Sequence, residues 1–303
     1  MATLREIKRR IVGVKSTAKI TQAMKMVAAA KLRRAQDGIN AARPYSRALE
    51  MLLKDVLRSV TEETGKSPLL YGRKHEEPNM DRVLLIVITS DRGLAGAFNS
   101  GLIRFAENRI HDEYSEHQKS GRLNLITVGR RGTDHFTKRG YPILDRYVGI
   151  FTKLEFATAR AIKNQAVDLF NRGECDRVEI IYNMFKSVVA QKPSAERLLP
   201  VLDESVTSGG TDTEENLEYI FEPEPDSILN VLVPSHLETM IWKALLESNA
   251  AEQGARMTAM DSATRNARDL VNALQLSFNK ARQAAITKEI LEIVGGAEAL
   301  SQA

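Results

Sequence analysis

The residues of this 303-residue chain best placed to do chemistry lie in SDRGLAGAFN, Ser90 to Asn99, directly after the apolar run RVLLIVITS (Arg82 to Ser90). A glycine-containing loop at the end of a buried strand is where a doubly wound sheet holds phosphate groups, because backbone N–H groups and a helix N-terminus converge there. This loop has neither the G-x-G-x-x-G spacing nor the Lys-Ser or Lys-Thr pair of a P-loop. Its nucleotide reading therefore stands behind a plainer one, a tight turn with close helix packing. GRRG (Gly129 to Gly132) ends a second apolar run and offers a place for an anion. The five histidines (His75, His111, His117, His135, His236) show no metal-ligand spacing, and no Ser/His/Asp set assembles with any specificity. A single cysteine, Cys175, excludes an intrachain disulfide and a multi-cysteine metal site. The expectation is a chain with no catalytic residues, no metal and no cofactor of its own.

Charge is the stronger chemical signal. The net charge is only +4, yet from Met1 to Gln36 ten basic residues face one acid, Glu6. Such a segment seeks an acidic surface, and composition leaves nucleic acid, anionic lipid and protein all open. No apolar run approaches the roughly 18 residues of a membrane span. The first residues, MATLREIKRR, lack the apolar core of a secretory signal and read straight into a helix, which leads to a cytoplasmic or cytoplasm-facing expectation.

Two long helices must position these charges. Alternating steps of three and four select Leu4, Ile7, Ile11, Val14, Ala18, Thr21, Lys25, Ala28, Leu32, Ala35, Ile39, Ala42, Ser46, Leu49, Leu53, Val56 and Val60, apolar except at Thr21, Lys25 and Ser46. A spacing of 3.5 held this long is the coiled-coil pattern. Thr3 and Glu6 form a capping box at its start, and Pro44 predicts a kink near Asn40 to Arg43. Near the other end a seam of Ala250, Gln253, Met257, Met260, Thr264, Ala267, Val271, Leu274, Phe278, Ala281 and Ala285 keeps the same steps, in a helix expected to be disturbed at Pro234. Beyond Ala285 the register places Lys288 and Glu292 on the seam while Ile286, Ile290, Ile293 and Val294 move the apolar face, so the last turns should leave the first partner and face another. The economical arrangement is an antiparallel pair with the middle of the sequence mounted at one end.

The middle alternates strands (Arg82–Ser90, Leu123–Gly129, Ile143–Val148, Arg177–Asn183) with helices, one reaching about His117 and one over Lys153–Asn171. That order predicts a doubly wound, largely parallel sheet. Asp203 to Asn216, DESVTSGGTDTEEN, reads as a surface loop. The fold class is thus α/β, a long antiparallel coiled coil of the terminal helices plus a doubly wound domain. Its boundaries are 1–62 for the first helix, 78–222 for the α/β domain and 226–300 for the last helix.

The runs LREIKRRIVGVKSTAKITQAMKMVAAAKLRRAQ and ARPY, then ITSDRGLAGAFN, LEYIFEPEP, ESNAAEQGARMTAMDSATRNA and NKARQAAITKEILEIVGGAEAL, together resemble the γ-subunit family of F-type ATP synthases over essentially the whole chain. Ala95 stands where many members have cysteine, and the absence of a cysteine pair gives no support to the redox dithiol of chloroplast relatives. The resemblance implies a Rossmann-like α/β domain beside the coiled coil, and a rotor shaft that couples proton or sodium flow to ATP synthesis in partner subunits. It implies contacts to the α and β subunits through Lys8, Arg9, Met24, Lys25 and Arg33, and through Arg282, Gln283, Thr287 and Glu292. Tyr219 and Glu222 match the positions that meet the ε subunit and the c-ring. It implies no nucleic-acid partner, and attachment at the cytoplasmic face of the bacterial inner membrane through the c-ring, without a transmembrane segment.

Overall fold

The computed structural model describes residues 3–59, 68–73, 81–202, 222 and 224–301. Val60, Tyr219 and the segment Asp203 to Asn216 lie outside the described residues. The elements in chain order are α1 (Leu4–Ser59), α2 (Pro68–Tyr71), β1 (Val83–Ile88), α3 (Phe98–Glu113), α4 (Ser115–Lys119), β2 (Leu123–Val128) and α5 (Arg130–Lys138). There follow β3 (Ile143–Tyr147), a 3-10 turn at Ile150–Thr152, α6 (Phe156–Asn171), β4 (Arg177–Phe185), β5 (Gln191–Leu199) and α7 (Pro225–Ser301). The chain divides into two compact units, one made of the α1 end up to Ala29 and α7 from Arg256 onward, the other of Ala30 to Ala255.

α1 begins as its capping box requires. The Thr3 N–H donates to Glu6 Oε2 at 2.9 Å and the Glu6 N–H donates to Thr3 Oγ1 at 3.3 Å, satisfying two of the N–H groups a helix start leaves without partners. Every described seam position from Leu4 to Val56 is buried or half-buried. Neither proline interrupts its helix, since α1 is continuous through Pro44 and α7 through Pro234. The disturbance expected at Pro234 does not appear as a break, because a proline forfeits a single backbone bond that flanking turns can bridge. On α7 the seam from Ala250 to Ala285 is likewise buried or half-buried, and from Ile286 to Ala297 every residue is exposed. The slip read from the sequence thus falls where burial ends.

In the larger unit five strands lie in the order β3-β2-β1-β4-β5. The first four are mutually parallel, with Val83 opposite Leu123 and Arg177. The sheet is mixed, however, because β5 runs antiparallel to β4 as a hairpin the sequence reading did not contain. Period-two alternation splits β1 cleanly between two layers. Leu84, Ile86 and Ile88 face a core with Ile162 and Phe170 of α6, Leu53 and Val56 of α1, and Leu237, Ile241 and Leu245 of α7. Val83, Leu85 and Val87 face the other core, with Leu102, Ala106 and Ile110 of α3 and Phe136 of α5. Cys175 is buried in the first core, and burial pushes its thiol up to about 12.

Charge is also buried in this unit. Glu179 on β4 is 3 % exposed and accepts from Arg109 Nε at 2.8 Å and Nη2 at 3.2 Å and from the Tyr114 hydroxyl at 2.5 Å. Beside it His117 Nε2 lies 2.9 Å from Asp81 Oδ1, and Arg177 lies 3.5 Å from the same carboxylate. The network ties α3, α4 and the entry to β1 onto β4.

Candidate functional site

Two places qualify as functional: the crevice where the strand order reverses, between β1 and β4, and the outward faces of the paired helices. The crevice comes first because a doubly wound sheet binds ligands there. It is filled by the chain itself. Ala251 and Ala255 of α7 cluster with Ala95, Phe98 and Phe185 at the ends of β1 and β4, and the Ser248 hydroxyl approaches the Ile88 carbonyl at 3.5 Å. Gly254 lies so close that a Cβ there would sit 3.2 Å from the Val188 carbonyl oxygen. Small residues at 251, 254 and 255 allow this helix to press onto the strand ends.

The loop after β1 is occupied in the same self-contained way. Ser90 and Asn99 exchange side-chain hydrogen bonds, and the Ser90 hydroxyl donates to the Arg92 carbonyl at 2.7 Å. The anion position at the start of α5, suggested by GRRG, is taken by Asp91, whose Oδ1 accepts from the Arg130 N–H at 3.1 Å and the Gly149 N–H at 2.8 Å. A carboxylate at a helix N-terminus is favoured by the helix dipole, and here it comes from the chain. Thr89 completes the closure: its hydroxyl donates to the Val128 carbonyl at 3.0 Å and accepts from the Gly132 N–H at 2.8 Å.

The smaller unit is an antiparallel helix pair, because Thr21 meets Thr264 while Lys25, one turn further along α1, meets Asp261, one turn back along α7. The two threonine hydroxyls lie 2.8 Å apart and are buried. Each has a carbonyl on its own helix within reach, Thr17 or Ala18 for Thr21 and Met260 for Thr264. Lys25 Nζ lies 2.5 Å from Asp261 Oδ1, and Arg265 lies 3.3 Å from the other oxygen. The Lys25 hydrogen bond holds the Asp261 carboxyl below its ordinary range. The pair's contribution to helix pairing is therefore fully present above pH ~4 and disappears as pH falls through that lowered value. Arg268 adds a 2.6 Å hydrogen bond to Gln22.

Replacing both Thr21 and Thr264 with valine should change thermal stability little, because both polar partners leave together. Thr264→Val alone should cost about 1 kcal/mol, because Thr21 keeps a buried hydroxyl with one partner fewer. Equal losses in the single and double variants, measured by denaturant titration, would show that the hydroxyl pair does not act as a unit.

The residues proposed from sequence fall as follows. Lys8 and Arg9 are exposed on α1, Met24 is half-buried, and Lys25 is half-buried with its charge directed to Asp261. Arg282, Gln283, Thr287 and Glu292 are exposed on the last turns of α7, where Thr287 donates to the Gln283 carbonyl and Glu292 pairs with Lys288 at 3.5 Å. Those eight belong to the smaller unit, and Arg33 and Glu222, both exposed, to the larger. Sequence reasoning missed a band of exposed apolar residues on α1: Val12 at 62 %, Ile20 at 57 % and Val27 at 57 % exposure. At about 100° per residue these three share one side of the helix, across from the seam. The same angular count applied to a second face would have found them. Apolar side chains between lysines and arginines on an outer helix face are what a protein partner covers, whereas a nucleic-acid surface is polar.

A family model described as ATP synthase matches residues 3–300. The chain belongs to that family. A protein of Chloroherpeton thalassium named ATP synthase gamma chain is 50 % identical over 308 residues, covering 100 % of this chain and 99 % of the relative. One of Chlorobium luteolum with the same name is 51 % identical over 300 residues, covering 99 % of each. Among solved structures, a chain in the central stalk and c-ring of Tetrahymena thermophila mitochondrial ATP synthase superposes with a TM-score of 0.60 at 26 % identity, covering 80 % of this chain and 99 % of that one. A chain of the Euglena gracilis mitochondrial ATP synthase reaches a TM-score of 0.67 at 20 % identity over 98 % of this chain and 94 % of that one, a likeness of fold. Among the described residues no helix is long and apolar enough to cross a membrane.

Proposed function

We infer that this chain is the central rotor shaft, the γ subunit, of an F-type ATP synthase, coupling ion flow through the membrane sector to ATP synthesis and hydrolysis at the β-subunit sites by rotation. The observation that carries the reading is full-length membership of a family whose relatives bear the gamma-chain name. Support comes from a helix pair whose outer face mixes cations with exposed apolar side chains, and from a last segment, Ile286 to Ala297, that finds no cover among the described residues.

The chain does no chemistry itself. Its crevice is closed by its own helix and the Asp91 carboxylate of the loop is spent on its own backbone, so nucleotide binding falls to the partner subunits. A shaft works by presenting different side chains to each catalytic subunit in turn, and stiffness serves that task. A continuous seam with cross-helix bonds at Thr21–Thr264 and Lys25–Asp261 resists the slip of one helix along the other. Lys8, Arg9, Met24, Lys25 and Arg33, with Arg282, Gln283, Thr287 and Glu292, face the α and β subunits. Tyr219 and Glu222 face ε and the c-ring, and the regions 1–62, 78–222 and 226–300 are the working divisions. The chain is peripheral, at the cytoplasmic face of the bacterial inner membrane, held there through the c-ring.

The test is co-expression with α and β subunits from the same source. A stoichiometric complex with ATPase activity is expected; a chain that purifies alone, leaving α and β without it, sinks the reading.

A further inference from the structure

In the larger unit a cavity of about 250 Å³ opens between α1 and α7. It is smaller than the roughly 300 to 1,000 Å³ of sites for drug-sized ligands, so it suits an anion of a few heavy atoms with its water. Its charged lining is Arg43, Arg47 and Glu50 from α1 and Lys243 and Glu247 from α7.

Three cations meet two acids in the wall, with Lys243 and Arg43 both acting on Glu247, so one positive charge is left over. Arg43 and Arg47 stand four residues apart on one helix face, where like charges repel, and no ion pair is found for either among the described residues. Lys243 lies only at 4.0 Å from Glu196. Of the two acids, Glu50 is engaged by Lys54 at 3.1 Å. Glu247 has its Oε2 completely buried with no hydrogen-bond partner, an arrangement native proteins rarely leave unexplained. Burial raises the Glu247 pKa and Glu196 adds to the rise, while the charges of Lys243 and Arg43 and a backbone hydrogen bond at Phe185 oppose it. The lining presents three cations against two acids, one of which, Glu50, is already turned to a lysine outside the lining.

We propose that this cavity binds a small multivalent oxyanion, inorganic phosphate or a dicarboxylate, clamped by the Arg43 and Arg47 guanidinium groups with Lys243 as the third charge. Guanidinium groups match the planar and tetrahedral oxygens of such anions with paired N–H donors. The ligand would bridge α1 to α7 and relieve the repulsion between the two arginines. The site lies on this chain alone and is independent of the rotor reading.

The experiment is calorimetric titration of the full-length chain at low salt with sodium phosphate and, separately, with succinate. Saturable one-to-one binding of either is expected, with the stronger of the two identifying the anion type. The double variant Arg43→Gln, Arg47→Gln should weaken it at least tenfold, while Arg104→Gln, on an exposed position of α3 outside the cavity, should leave it unchanged. No saturable heat from either anion up to about 10 mM overturns the proposal, as does undiminished binding in the double variant.

Discussion

Glu179→Ala is expected to lower the stability of the α/β unit by about 3 kcal/mol, the low end of the cost of breaking a buried ion pair by removing one partner. Glu179 takes both an Arg109 fork and the Tyr114 hydroxyl, and the alanine variant leaves the guanidinium one carboxylate short and the buried phenol without its acceptor. The loss stays at the low end because Arg109 keeps Glu113 at 2.7 Å. A urea titration at neutral pH would read it as a lower midpoint with an unchanged slope; a midpoint within experimental error of the parent would remove the network from the account of stability. Raising the pH should act on the same cluster. Burial, reinforced by the hydrogen bond to Glu179, pushes the Tyr114 pKa up to about 12. The folded form therefore resists ionisation that the unfolded chain undergoes near pH 10, and stability should decline from about pH 10 to pH 12.

Gly129→Ala should be at least as damaging, at about 3 to 5 kcal/mol, from the sum of a strained backbone and an overpacked site. Gly129 has φ +88, and a Cβ there would lie 2.2 Å from the Thr89 carbonyl oxygen, a backbone atom fixed at the end of β1. The turn cannot yield without breaking the Thr89 bonds to Val128 and Gly132. Gly121 is the natural control. It has φ +70 but nothing within 4 Å of a built Cβ, so Gly121→Ala should cost only about 1 kcal/mol from the left-handed backbone. Equal losses in the two variants would mean that close approach at Gly129 contributes nothing.

The parts of this molecule that were legible in the sequence are those with a local signature. Thr3 and Glu6 are three residues apart, so their capping box could be read directly, and the α1 seam is a periodicity any window reveals. The slip beyond Ala285 was legible for the same reason. What escaped depends on residues distant in the chain. β5, QKPSAERLL, carries charges and a proline and is mostly half-buried, so only its pairing with β4 makes it a strand. Glu179 sits within an otherwise apolar run, and nothing near it announces Arg109 or Tyr114 as partners. Lys25 stood out as a seam exception, yet Asp261, 236 residues away, could not be named. The small residues at 251, 254 and 255 fall outside the seam read from the sequence, and only the tertiary structure reveals that they are what closes the crevice.

That closure also governs how the chain can be born. The Ile88 carbonyl and the Ser248 hydroxyl are separated by 160 residues. At roughly 5 to 20 residues per second, a ribosome takes about 8 to 32 s to make that stretch. Throughout this interval β1 has been synthesised while the helix that covers its end has not, and the core that needs Leu237, Ile241 and Leu245 stays open. Long-range closure of this kind is slow and leaves apolar strands exposed to other nascent chains. Each new copy therefore passes through a half-covered stage in which its apolar strands are open to aggregation.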